Sequence, residues 1–295
     1  MKRVLNHLLV LTFPSFFLLA QEEKVTVLLL PRPDQTIELR TVQDVEMAVT
    51  FEGTVPPELA AAGPMKIQGK TVMAFTQKTG KQNSQGGLEA ELTYTEANSQ
   101  MSMNGIPLPA GNTLAQFVGK KLTLTFDSQG KVVDVKAPPD MESIAGAIRY
   151  SITSMYNNMP AAPLSVGETA AVPISLQLPL PLAGAQPLAI GGQIQYKLLA
   201  FDKEGSDRLA RLSQSMEAQL TGEQAASQQS KMKIDCKMTG NGSLQLNLDK
   251  SFLKANEMQT TIDAQLTFAG DSTAGSTPTV NLHGTMKITT TGSVP

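Results

Sequence analysis

The chain predicts a mainly β fold: a long, strongly curved antiparallel sheet, a half-barrel or open barrel, with one amphipathic helix packed on its apolar face. Three observations predict it. First, the odd positions from Ile37 read Ile37, Leu39, Thr41, Gln43, Val45, Met47, Val49, Phe51, with Glu38, Arg40, Asp44, Glu46 and Thr50 between them. A period of two puts alternate side chains on one face of a strand. Second, the run is too long for an ordinary strand. Fifteen residues at about 3.3 Å each span roughly 50 Å, and strands of that length persist by coiling. Third, a single segment replaces period two with steps of three and four: Met141, Ile144, Ala145, Ile148, Ile152, Met155, Tyr156 and Met159. That spacing is one stripe of an α-helix.

Residues 1–20 have the pattern of an export signal. Lys2 and Arg3 precede the mostly apolar stretch Val4 to Leu19, and Ala20 is a small residue before Gln21, Glu22 and Glu23. Leu18 departs from the small-residue rule at the −3 position. Gln21 stands where a lipidated cysteine would have to be, which excludes lipid attachment there. Residues 21–137 follow as a first β meander, 138–160 as the helix, and 161–295 as a second meander, within one continuous domain. Lys24 to Leu30 forms a strand broken by Pro31 and Pro33. The long strand Thr36 to Phe51 is next, and the proline-bearing connection Gly53 to Pro64 excludes a central strand there.

Met65 to Gln77 resumes the alternation. From Leu88 the apolar phase is even through Tyr94, then odd through Ala97, Met101 and Met103, which predicts a β-bulge near Glu96. Asp127 to Gly130 is a hairpin loop between Lys121–Phe126 and Lys131–Val135. Pro138 and Pro139 introduce the helix, Asp140 is its expected N-cap, and Pro160 stops it. Ser143 and Ser154 fall on the opposite face from the stripe. Val172 to Leu182 carries Pro173, Pro179 and Pro181, so it is an edge strand or a strip lying over the sheet. Phe201 to Gly205 repeats the hairpin chemistry, which makes the halves alike in outline. Gly222 to Ser230 reads as a loop rich in Gln, Ser and Ala. Met232 to Leu248, Met258 to Phe268 and Val280 to Thr290 complete the sheet.

The residues that usually carry chemistry are sparse. Without Lys2 and Arg3, 22 of the 24 basic residues remain against 26 acidic ones, a balance that offers no footprint for nucleic acid. Cys236 is the single cysteine, in phase with Met232, Ile234 and Met238, so it reads as a buried small hydrophobe. After export His283 is the one histidine left, which excludes His-pair metal sites. Ser251 to Lys254, Ser102 to Asn104 and Lys78 to Gly80 spell S-x-x-K, S-x-N and K-T-G. Their order is reversed from that of serine enzymes of that type, and the serine falls between strands instead of opening a helix. Asn241 to Ser243 matches a glycosylation sequon inside a strand and carries no role. Asp263 and Asp271 lack the spacing of a calcium loop. The expectation is a non-catalytic chain without cofactor or metal.

What stands out is the apolar face itself, rich in methionine: Met47, Met73, Met101, Met103, Met232, Met238, Met258 and Met286. Methionine adapts to varied shapes. Either the face is an ordinary core or it receives acyl chains. In the second case Met232, Ile234, Ile262 and Leu266, with Ile148 and Ile152 of the helix, line the ligand site.

Long alternating strands with one amphipathic helix after an export signal resemble the half-barrel carriers of the bacterial envelope, of the lipoprotein-localisation-factor type. Phe117 to Lys121 and Pro163 to Glu168 resemble turns of uncharacterised exported β-rich bacterial proteins. The resemblance is one of architecture. It implies periplasmic or surface residence, with a lipid or acyl-chain ligand or an envelope protein as partner, and it carries no functional residue over. An envelope interaction module with a filled core is the alternative. An outer-membrane β-barrel is disfavoured by the absence of Trp and the presence of only four Tyr, since aromatic girdles line both lipid interfaces.

Overall fold

The structure, a computed structural model, describes residues 24–27, 29, 31–53, 63–108, 114–178, 188–225, 230–270 and 278–295. The expected signal segment lies outside these residues, as does the strip beyond Leu178. The alternating runs form β1 (Thr36–Glu52), β2 (Met65–Gln82), β3 (Leu88–Met103), β4 (Ile106–Pro107), β5 (Lys121–Phe126) and β6 (Val132–Lys136). After α1 (Glu142–Asn157) come β7 (Thr169–Leu178), β8 (Leu188–Glu204), β9 (Asp207–Ala225), β10 (Ser230–Asn247), β11 (Phe252–Gly270) and β12 (Thr279–Ser293).

All twelve strands belong to one antiparallel sheet that does not close. The order is β6-β5-β3-β2-β1-β12-β11-β10-β9-β8-β7, with β4 paired to β3. The first and last strands therefore lie side by side in its middle, paired from Glu38 opposite Ser293 to Glu52 opposite Thr279. α1 connects strands at opposite ends of the order. Short turns join the strands at the α1 end: Gly205-Ser206 between β8 and β9, and Asp127 to Lys131 between β5 and β6. There the Asp127 carboxylate accepts the amides of Gln129 and Lys131, at 2.8 and 2.9 Å. Most of the longer connections fall at the other end.

The bulge lies where the phase switch places it. Ala74 faces Glu96 and Phe75 faces Tyr94, which leaves Thr95 as the extra residue of β3. Several local expectations are corrected. Lys24 to Leu30 is not a strand among its described residues. Val25 makes a single bridge with Leu164, and Val27 is fully buried. Phe201 to Glu204 is strand, because Glu204 pairs with Asp207 and Gly205, at φ +62°, turns the chain in two residues. β9 runs through Ala225 and β10 resumes at Ser230, since pairing such as Met232 with Gln224 supplies hydrogen bonds that poor propensity does not forbid.

Asp140 does not cap α1. It lies in a 3-10 turn (Pro139–Met141), and its carboxylate is taken by Lys120. Ser154 is half-buried rather than free on the far side. Val172 to Leu178 is an edge strand on β8, where Pro173 needs no ladder donor. Asn104-Gly105, between Met103 and Ile106 with φ +52° and +78°, is a tight hairpin turn that the Asn-Gly pair itself announces.

The main core lies at the α1 end. Leu92, Leu122, Leu124, Leu198, Leu212 and Leu246 are all at or below 2% exposure there, each worth about 1.5–3 kcal/mol of burial. Ile152, Tyr156 and Met159 join this cluster. The Tyr156 ring meets Phe126 edge-on, and its hydroxyl donates to the buried Gln77. Asn157 accepts the Val132 amide at 2.9 Å and donates to the Val132 carbonyl at 3.1 Å. One side chain thus occupies the free edge of β6 as a neighbouring strand would.

Candidate ligand-binding face

Directly opposed residues of an antiparallel ladder share a face, so the register can be followed across the whole sheet. Gln43, for example, opposes Ile288, which opposes Met258, then Gly242, Gln214 and Tyr196. The face so traced takes odd positions from Ile37 to Phe51 and Met65 to Gln77. It takes even positions from Ala170 to Leu176, Ile190 to Leu198, Ala210 to Leu220, Met232 to Leu246, Asn256 to Phe268 and Val280 to Gly292. Within these limits it contains no Asp, Glu, Lys or Arg.

The opposite face is polar. It carries ion pairs such as Lys70 with Asp44 and Lys287 with Glu257, and the contact of His283 with Asp263. Glu257 holds the Lys287 ammonium above its usual lysine range. Every methionine after Met1 lies either on the traced face, extended into β3 by Met101 and Met103, or in the α1 segment as Met141, Met155 and Met159.

Burial along this face is graded. Toward α1 it is filled. Farther along the strands a second, smaller cluster holds Ile174, Ile190, Ala218, Leu220 and Ile234. Met47, Met65, Met73, Met103, Met232, Met238 and Met286 are only half-buried, and Met101 is 42% exposed. Three methionines lie over glycines of the same face: Met47 at Gly284, Met258 at Gly240 and Met101 at Gly69. A long unbranched side chain there fills the notch left by a missing Cβ.

The six residues read from the sequence do not form one site. Ile234 opposes Leu266, and with Met232 they belong to the smaller cluster. Ile262 shares the face, opposite Met238 and Gly284. Ile148 and Ile152 belong to the main core at the α1 end instead. None of the six lines either of two open clefts. One, about 630 Å³, runs along β1 to β3 past Val45, Gly69 and Met101. The other, about 460 Å³, lies between the β5–β6 turn, the end of α1 and the β7 edge, past Lys131, Asn158 and Val172.

Sequence reasoning passed over a polar belt that crosses the face at the margin of the main core. It comprises Thr41, Gln43, Thr71, Ser99, Gln214, Asn256 and Thr290. The signal was available, because all seven hold the apolar phase of their strands. Thr41 and Thr290 hydroxyls pair at 3.0 Å, and those of Thr71 and Ser99 at 3.1 Å. Gln214 donates to Asn256 at 2.5 Å. Gln43 donates its amide to the Met286 sulfur at 3.1 Å.

The titratable groups on this side are neutral ones. Burial raises the phenol of Tyr94 and pushes that of Tyr196 up to about 12. Burial raises the Cys236 thiol, and the Asp235 and Asp263 carboxylates add to the effect. Among the described residues no group of His, Cys, Asp and Glu could hold a metal ion, and no described helix is long and apolar enough to cross a membrane.

No family model matches the chain, and no curated protein matches it. Among solved structures, the outer membrane protease OmpT of Escherichia coli aligns over 87% of this chain and 96% of its own length. The identity is 9% and the TM-score 0.12, so the likeness is too weak to carry an argument about fold or activity.

Proposed function

We propose that the protein is an exported, non-catalytic binding protein of the cell envelope that holds a lipid-like ligand on a concave apolar face. The observation that carries this reading is the graded burial of one uncharged face: filled by side chains around α1, half-open and methionine-rich beyond it. A methionine-lined surface suits a flexible chain, since the thioether arm repacks around it.

Two features support a half-barrel curvature. Tyr156 contacts Phe126 of β5, while Asn158, two residues on, accepts a hydrogen bond from Tyr196 of β8. In a flat sheet the eight strand steps from β5 to β8, at about 4.8 Å each, make roughly 38 Å. The fully extended path through these side chains reaches roughly 32 Å, which is shorter. Glycines on the apolar face supply the second feature. A Cβ at Gly242, Gly284 or Gly292 would lie 2.1, 2.3 or 2.0 Å from a carbonyl oxygen of the next strand. Backbones that crowd together on one face favour a sheet coiled toward it.

Cys236 reports on occupancy, because it sits half-buried on this face between Ile234 and Met238. A neutral dye, N-phenyl-1-naphthylamine, should bind saturably and slow alkylation of Cys236 by a small maleimide. Alkylation should be slow even without dye at pH 8, because the raised thiol carries little thiolate there. Absence of saturable dye binding, with Cys236 equally reactive in both conditions, would favour an envelope interaction module with a filled core.

A further inference from the structure

We infer that the ligand is an uncharged amphiphile whose hydroxyl, ester or amide group is read by the polar belt, with Gln43 as the specificity-determining residue. The inference rests on the proposed ligand-binding reading and narrows it to a chemical class. An acyl chain alone would need no polar group on the face. Yet seven neutral polar side chains cross it midway, where the main core gives way to the half-buried part of the face. Burying neutral hydrogen-bonding groups is tolerable only when they are paired.

Six of the seven pair with each other through oxygen acceptors. Gln43 is the exception. Its amide nitrogen donates to a thioether, a weak acceptor. An oxygen-bearing head group would give that donor a better partner, and the flexible Met286 side chain can move aside for it.

Charge excludes the other common amphiphiles. A carboxylate, phosphate or ammonium at the belt would find no counter-charge on the traced face, and an unpaired buried charge is far costlier than a neutral group. The length also fits. From the Gln43 level to the Phe51 level is eight residues, roughly 27 Å of strand, which is room for a long acyl tail laid along the half-buried methionines.

The test displaces bound N-phenyl-1-naphthylamine with three compounds that share one tail: monoolein, oleate and oleylamine. Monoolein should displace the dye at a concentration about tenfold or more below the other two, since only they would bury a charge. In Gln43→Leu, dye binding should persist while the monoolein advantage falls to within about threefold, the loss expected when one hydrogen-bond donor is removed. Displacement by all three at equal concentration in the unaltered protein would overturn the inference but leave the ligand-binding reading standing. So would an undiminished monoolein preference in Gln43→Leu. No dye binding at all would remove both. A melting curve of Gln43→Leu that overlays the parent's separates lost recognition from lost fold.

Discussion

Gly284 and Gly146 show how differently one residue type can act. At Gly284 a Cβ would fall 2.3 Å from the Glu46 carbonyl and 2.8 Å from Met47 Cα, both backbone atoms that cannot rotate away. Gly146 lies in α1 with open space where its Cβ would be. Gly284→Ala should therefore destabilise the protein by about 1–3 kcal/mol through strain. Gly146→Ala should stabilise it by about 0.5–1 kcal/mol through helix propensity. Chemical denaturation of the two variants checks this pair. Equal midpoints would mean that β1 and β12 are not drawn together at this point.

At the scale of elements, α1 is tied to the sheet by polar groups as well as by its apolar stripe. Gln77 is fully buried, and among the described residues its amide nitrogen finds no partner and its side chain bonds only the Tyr156 hydroxyl. Tyr156→Phe removes that donor and leaves the buried carbonyl oxygen unpaired. The expected cost is about 1–3 kcal/mol, in excess of a neutral Tyr→Phe change at a solvated site. A calorimetric melt that does not move would show that water takes the place of the hydroxyl.

The existence of α1 is legible in the sequence because burial along one side of a helix imposes its own period on the chain. The β-bulge at Thr95 is legible for the same reason, as a shift of phase. The partnership of β1 with β12 is not, because any two strands with an apolar phase can pair and nothing local names the partner. The candidate site is half-legible. Phase alone puts Gln43 and Gln214 on the apolar face. Only the packing shows that Ile148 and Ile152 lie in one cluster while Met232, Ile234 and Leu266 lie in another.

For the molecule as a whole, three carboxylates join segments that approach at the α1 end. Lys120 holds Asp140 below the usual carboxylate range. The Ser165 amide does the same for Glu168, and Lys250 with Asn247 for Asp207. A carboxyl whose pKa is lowered by folding lends stability above its unfolded pKa, near 4, and loses it as pH falls through the folded value. Melting temperature should thus be level from pH 7 to about pH 5 and decline below about pH 4. In Glu168→Gln the gap from the parent should narrow over that decline, and a gap that widens would put the titrating group elsewhere. The sheet order bears on how the chain comes to be folded at all. β12 is wedged between β1 and β11, so β1 has β2 on one flank and nothing on the other until the last strand has been made and delivered. Assembly from the leading end alone cannot finish, and half of a long, greasy strand stays bare in the interval. A sheet of that order is expected to fold slowly, closing its largest loop last, with the bare strand open to aggregation until then.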